Sequence, residues 1–75
     1  MIEEIGAVAG ATWHALDMNG ETTLAKLKKD VVAEGPLFDW AIGWLAREDK
    51  IELMRDKRSI RVWLKGRETQ RANAA

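Results

Sequence analysis

At residue 50 the spacing of apolar residues changes. Before it they recur every three or four positions, as on a helix; after it Ile51-Glu-Leu-Met-Arg55 and Ile60-Arg-Val-Trp-Leu64 alternate with period two around Asp56-Lys-Arg-Ser59. A chain of 75 residues that switches period once builds one domain, in which the helical part must cover a single hairpin. If Arg55 pairs with Ile60 across a four-residue loop, Ile51, Leu53, Val62 and Leu64 share the inner face. Glu52, Met54, Arg61 and Trp63 then share the outer face.

The helical part divides in three. Ile2, Ile5, Ala9, Trp13 and Leu16 form one stripe running to about Met18, with Val8 and Thr12 on its flank, and Asn19-Gly20 is the expected stop. Gly6 and Gly10 lie one turn apart beside Trp13. Each costs about 1 kcal/mol relative to Ala inside a helix, which predicts a close neighbour there, from the same chain first and from a dimer partner second. Thr22 or Thr23 reads as the N-cap of a second helix carrying Leu24, Leu27 and Val31 and ending near Val32. Ala33-Glu34-Gly35 is the turn, and Pro36 suits the first position of a third helix running to about Asp49. Phe38, Ala41, Ile42 and Leu45 make its core seam; Leu37, Trp40 and Trp44 widen the apolar arc to about 200°, against the roughly 100° a one-sided helix needs. Leu27, Phe38, Leu45 and Val62 are expected to be buried together. Residues 1–65 form the expected domain, and residues 66–75, polar and without period, a flexible tail.

Charge and composition remove several function classes. Twelve basic and twelve acidic residues cancel, whereas nucleic-acid binders normally carry a basic surplus. The balance hides a dipole: residues 1–49 hold four basic and nine acidic groups, and residues 50–67 hold seven basic and two acidic. Without cysteine there is no disulfide, thiolate metal site or cysteine nucleophile. No apolar run approaches the roughly 20 residues that span a bilayer, and the Glu3-Glu4 opening lacks the basic start of a signal peptide. A cytoplasmic protein with no membrane partner is expected. An apolar fraction of 47% supplies one core, not a core plus a deep ligand pocket, so neither a cofactor nor a small-molecule substrate is expected. His14 is the sole histidine and falls on the outer face of the first helix among scattered carboxylates, short of the converging ligands that zinc requires. Glu3-Glu4 and Glu48-Asp49 are sequence neighbours whose side chains diverge, and no nucleophile stands near a base in the pattern. No metal site, no catalytic residue and no enzymatic activity are expected.

Helix, short strand, helix, tight turn, helix and hairpin is the order of an α+β winged helix-turn-helix domain. Two stretches carry a closer likeness: Ile5-Gly-Ala-Val-Ala-Gly10 followed by Trp13, and Ala41-Ile-Gly-Trp-Leu-Ala-Arg-Glu-Asp-Lys-Ile51, a recognition helix running into the first wing strand. Over residues 2–64 the chain resembles a family of short stand-alone prokaryotic winged helix-turn-helix proteins of largely uncharacterised function. That resemblance implies the fold and a tendency to dimerise, and it brings no catalytic residues.

Two surfaces stand out as candidates. Lys57 and Arg58 sit at the loop tip with Arg55 and Arg61 behind them and Lys65 and Arg67 following, six bases in thirteen positions that could neutralise several phosphates of double-stranded DNA. Lys28 and Lys29, with Lys26, offer a second basic face on helix two. Base readout wants Arg, Lys, Asn, Gln or Ser near the start of the third helix; this one offers Asp39, Gly43 and Ala46, with Arg47 a turn late. The second surface is apolar. Trp13 and Trp44 read as core, while Trp40 at the arc's margin and Trp63 beside Met54 on the outer hairpin face are expected to be exposed. With Gly6 and Gly10 they mark a candidate homodimer interface. Two functions follow: a DNA-binding, transcription-regulatory module that uses a basic wing as a dimer, or a protein-interaction module on the same scaffold without DNA binding.

Overall fold

A computed structural model describes residues 1–67; the remainder of the expected tail lies outside the described residues. Helix α1 (Ile2–Asn19) is followed by strand β1 (Thr22–Thr23), helices α2 (Leu24–Asp30) and α3 (Leu37–Arg47), and the hairpin β2 (Ile51–Asp56) and β3 (Ser59–Leu64).

Local chemistry sets most boundaries. Gly20, at φ 78°, takes the left-handed conformation that ends α1, and its N–H donates to the Leu16 carbonyl at 2.8 Å. Thr23 caps α2, its Oγ1 accepting from the Lys26 N–H at 3.2 Å. The end of α3 is a Schellman motif: Asp49 is left-handed at φ 62°, its N–H donates to the Ala46 carbonyl, and the Lys50 N–H donates to the Leu45 carbonyl.

The three strands form one antiparallel sheet in the order β1-β3-β2. Arg55 pairs with Ile60 as expected, and the pairing runs one step further, to Asp56 with Ser59. On the other side Thr22 pairs with Val62 and Thr23 with Arg61, which makes β3 the central strand. Leu27, Phe38, Leu45 and Val62 are all buried in the core, together with Ala9, Leu16, Ala41, Ile51 and Leu64. Thr12 is fully buried too, its hydroxyl donating to the Val8 carbonyl at 2.7 Å, so it adds no unsatisfied group.

Four expectations change. Trp63 is 6% exposed, not on an open face. A hairpin taken alone has a free outer side, but in a three-stranded sheet β3 has neighbours on both flanks; continuing the β1 register by one residue places Glu21 opposite Trp63. Leu53 has the expected register opposite Val62, yet it is 40% exposed, because β2 is the edge strand and runs out past the helices. Trp44 is 47% exposed rather than core: its neighbours on α1 include Gly6, which has no side chain to cover the indole. Residues 66 and 67 belong to the fold, not to a tail, since the Arg67 N–H donates to the Leu64 carbonyl at 3.0 Å and its guanidinium holds Asp17 at 2.8 Å.

Candidate nucleic-acid interface

The hairpin tip is a two-residue turn. Between the paired Asp56 and Ser59 only Lys57 and Arg58 remain, and the Ser59 hydroxyl closes the turn by donating to the Asp56 carbonyl at 3.1 Å. Tight hairpin turns need positive φ at a central residue, a demand glycine meets without strain. Here Lys57 meets it, at φ 56°. A side chain held in that conformation costs roughly 1–2 kcal/mol. Lys57→Gly is therefore expected to raise the thermal midpoint by several degrees, since about 1 kcal/mol moves a domain of this size by roughly 4–8 °C. An unchanged or lower midpoint in a melting experiment would show that the tip carries no such strain.

Tertiary structure divides the basic cluster of residues 55–67 in two. Arg61 Nε donates to Glu21 Oε2 at 2.7 Å, and that carboxylate side chain is 7% exposed. Lys65 lies 2.7 Å from Glu52 and 3.3 Å from Asp49; the Glu52 hydrogen bond first, then Asp49, holds its ammonium above the usual lysine pKa. Arg67 is tied to Asp17. Arg55, Lys57 and Arg58 are exposed and make no ion pair among the described residues. The base of the hairpin is neutralised inside the fold, and the tip keeps its charge. Strand parity also separates Arg61 from Arg55, which project from opposite faces of the sheet.

The helices contribute less. Lys28 lies 3.8 Å from Asp39, and Lys26 is 3.4 Å from Asp30. Lys29 and Arg47 are exposed without an ion pair among the described residues. The exposed face of α3 consists of Asp39, Trp40, Gly43, Trp44, Ala46 and Arg47; near its start, where a base-reading helix would carry Arg, Lys, Asn, Gln or Ser, it offers an acid and an indole, and its one guanidinium comes in the last turn.

Of the five candidate interface residues, Trp40 is 46% and Met54 42% exposed, while Trp63 is withdrawn by its burial. Met54 thus loses its aromatic neighbour as a surface partner, and a lone exposed Met is ordinary. Gly6 and Gly10 do not meet the expected neighbour from the same chain: a Cβ at either would find nothing within 4 Å. They floor an open groove of about 310 Å³ between α1 and α3, walled by Trp13 and Trp44 with Lys50 at its rim. Sequence reasoning missed Trp44 as a surface residue and Glu21 as a partner of Arg61. Neither left a local signal: Trp44 is opened by what the packing of α1 places across from it, and Glu21 lies forty residues from Arg61.

Among the described residues no helix is long and apolar enough to cross a membrane, and no three His, Cys, Asp or Glu residues group as metal ligands. Three helices, with α2 and α3 joined by the non-helical residues 31–36, followed by a hairpin that completes a three-stranded antiparallel sheet, define a winged helix-turn-helix domain. The chain belongs to the family described as winged helix-turn-helix domain (DUF2582), which matches residues 1–64. A relative from Methanocaldococcus jannaschii, uncharacterized protein MJ1608, is 40% identical over 65 residues, covering 83% of this chain and 91% of the relative. The family match takes in all three helices and ends with β3, so the wing lies wholly inside it.

Proposed function

We propose that this chain is a cytoplasmic, non-catalytic nucleic-acid-binding module that works as a homodimer and grips the phosphates of double-stranded DNA with its wing. Winged helix-turn-helix domains typically bind nucleic acid, which supplies the class by analogy. The observation that carries the reading is the division of the basic cluster: Arg61, Lys65 and Arg67 pair with acids of the fold, whereas Arg55, Lys57 and Arg58 at the exposed tip have no ion pair among the described residues. Cations held by carboxylates release few counterions from DNA; unpaired ones release about one each. Binding of this kind follows the backbone and has weak sequence preference, because α3 offers few groups to a base edge. A transcription-regulatory role would then depend on placement by a partner. The second reading, a protein-interaction module without DNA binding, is favoured by the indoles of Trp40 and Trp44 on the helix that would enter the major groove.

Titration of a labelled duplex at two salt concentrations separates the two. Three phosphate contacts per engaged wing predict a log–log salt slope of roughly −3 for that wing. Replacing Lys57 and Arg58 with Ala is expected to keep the fold, to weaken binding, and to flatten the slope by about one to two units. No binding at micromolar protein and low salt would overturn the nucleic-acid reading. Binding by the double variant with unchanged slope would move the contact away from the wing.

A further inference from the structure

Trp40, Trp44 and Arg47 fall at i, i+4 and i+7 of α3, one stripe within about 60° of the helix circumference. Each indole is nearly half exposed, Trp40 at 46% and Trp44 at 47%. Arg47 is exposed, and so is Lys50 just past the helix end; neither makes an ion pair among the described residues. The acid beside the stripe, Asp39, is already met by Lys28 at 3.8 Å. Next to Trp44 lies the groove of about 310 Å³ floored by Gly6 and Gly10, with Trp13 on its other wall and Lys50 at its rim. Each glycine costs α1 about 1 kcal/mol, yet a Cβ at either meets nothing of this chain. Packing within the fold does not account for the space they leave.

Exposed flat rings flanked by unpaired cations suit a ligand that carries flat rings and anions together. We infer that this face of α3 binds unpaired nucleotides, as in single-stranded DNA or RNA, with bases stacked on Trp40 and Trp44 and phosphates held by Arg47 and Lys50. An indole carries a single ring donor and reads a base edge poorly, but its face stacks on any base. Trp40 and Trp44 lie about 6 Å apart along the helix axis, nearly twice the 3.4 Å spacing along one strand of a duplex. Bases resting on both indoles are therefore unstacked from each other. A duplex keeps its base faces covered by their neighbours; an unpaired strand can turn them to the protein. The groove beside Trp44 has room for a further base, since about 150 Å³ suffices for a benzene-sized ring. Charge complementarity favours the same occupant: each phosphate brings the anion that Arg47 and Lys50 lack, whereas a protein partner would have to supply an acid to each. The site shares no residue with the wing and goes beyond the duplex grip proposed above.

Anisotropy of labelled oligothymidylate and oligouridylate of about twelve nucleotides, within the site sizes of single-strand binders, tests this on the full chain beside a blunt duplex. The parent is expected to bind single strands, with quenching of its tryptophan emission. Trp40→Ala and Trp44→Ala should each weaken that binding roughly fivefold to hundredfold, the worth of one base–aromatic stack, with helical circular dichroism retained. Trp40→Phe and Trp44→Phe, which keep a ring, should retain most of it. Arg47→Ala and Lys50→Ala should each flatten the single-strand salt slope by about 0.7. Replacing Lys57 and Arg58 with Ala should leave single-strand binding unchanged. Binding of either oligonucleotide supports the site, and a preference between them decides between DNA and RNA. No binding of either at several hundred micromolar protein and low salt overturns the inference, even if the wing still holds duplex. Single-strand binding that ignores both indole truncations, or that is lost with the wing double variant instead, also overturns it. Single-strand binding without duplex binding supports this site and counts only against the wing reading.

Discussion

Phe38→Ala is expected to leave a large fraction of this chain unfolded at ordinary temperatures. Phe38 is 2% exposed and lies in the first turn of α3, in one cluster with Leu16, Leu27, Leu45 and Val62. Truncating a buried Phe costs about 3–5 kcal/mol, because the transfer energy of the ring is lost and the surrounding atoms only partly collapse into the cavity. A domain of this length holds in all about 4–11 kcal/mol, at roughly 0.05–0.15 kcal/mol per residue. The small core has no second layer to compensate, since short chains bury only about 60% of their unfolded surface. Urea titration followed by tryptophan fluorescence is the measurement. A loss below about 1 kcal/mol would show that the Phe38 site collapses without penalty and that α3 is anchored by other contacts.

Arg61→Met should cost about 1–3 kcal/mol while leaving DNA binding by the folded protein unaltered. Removing one partner of a fully buried ion pair costs about 3–5 kcal/mol, and the 30% exposure of Arg61 reduces that through solvent screening. Met keeps the apolar stem packed between Thr23 and Met54, its cross-strand neighbours, so the loss reports mainly on the charge. The Glu21 carboxylate, 7% exposed, would be left without the guanidinium that now donates to it. Denaturant midpoints give the first quantity and the salt slope for duplex DNA gives the second. Unchanged stability with a flattened slope would make Arg61 a phosphate contact and would undo the separation of structural from free cations on which the wing reading stands.

Much of this protein is legible along the chain because its elements are punctuated locally. Gly20 and Thr23 act within a few residues of themselves, and the period change after Lys50 marks the hairpin with its register. Leu27, Phe38, Leu45 and Val62 converge because helical and strand periodicities each leave one apolar stripe, and in a single small domain those stripes have only one another to meet. The family match runs over residues 1–64, the stretch in which those local patterns lie.

What the sequence determined by itself is therefore the element order, the seam of the core and the hairpin pairing. The exposure of the tryptophans was decided only by tertiary structure. Trp63 and Trp44 exchange their expected places because burial depends on what lies across an element: β1 makes β3 a central strand, and Gly6 leaves the side of Trp44 open. The fate of the basic cluster was likewise settled at long range, when the fold brought Glu21, Asp49 and Asp17 to Arg61, Lys65 and Arg67 and brought no acid to pair with Arg55, Lys57 and Arg58 among the described residues. Periodicity is a property of neighbours a few residues apart. Charge pairing and the covering of a face belong to residues that only folding makes neighbours, and both candidate surfaces of this domain are built from those.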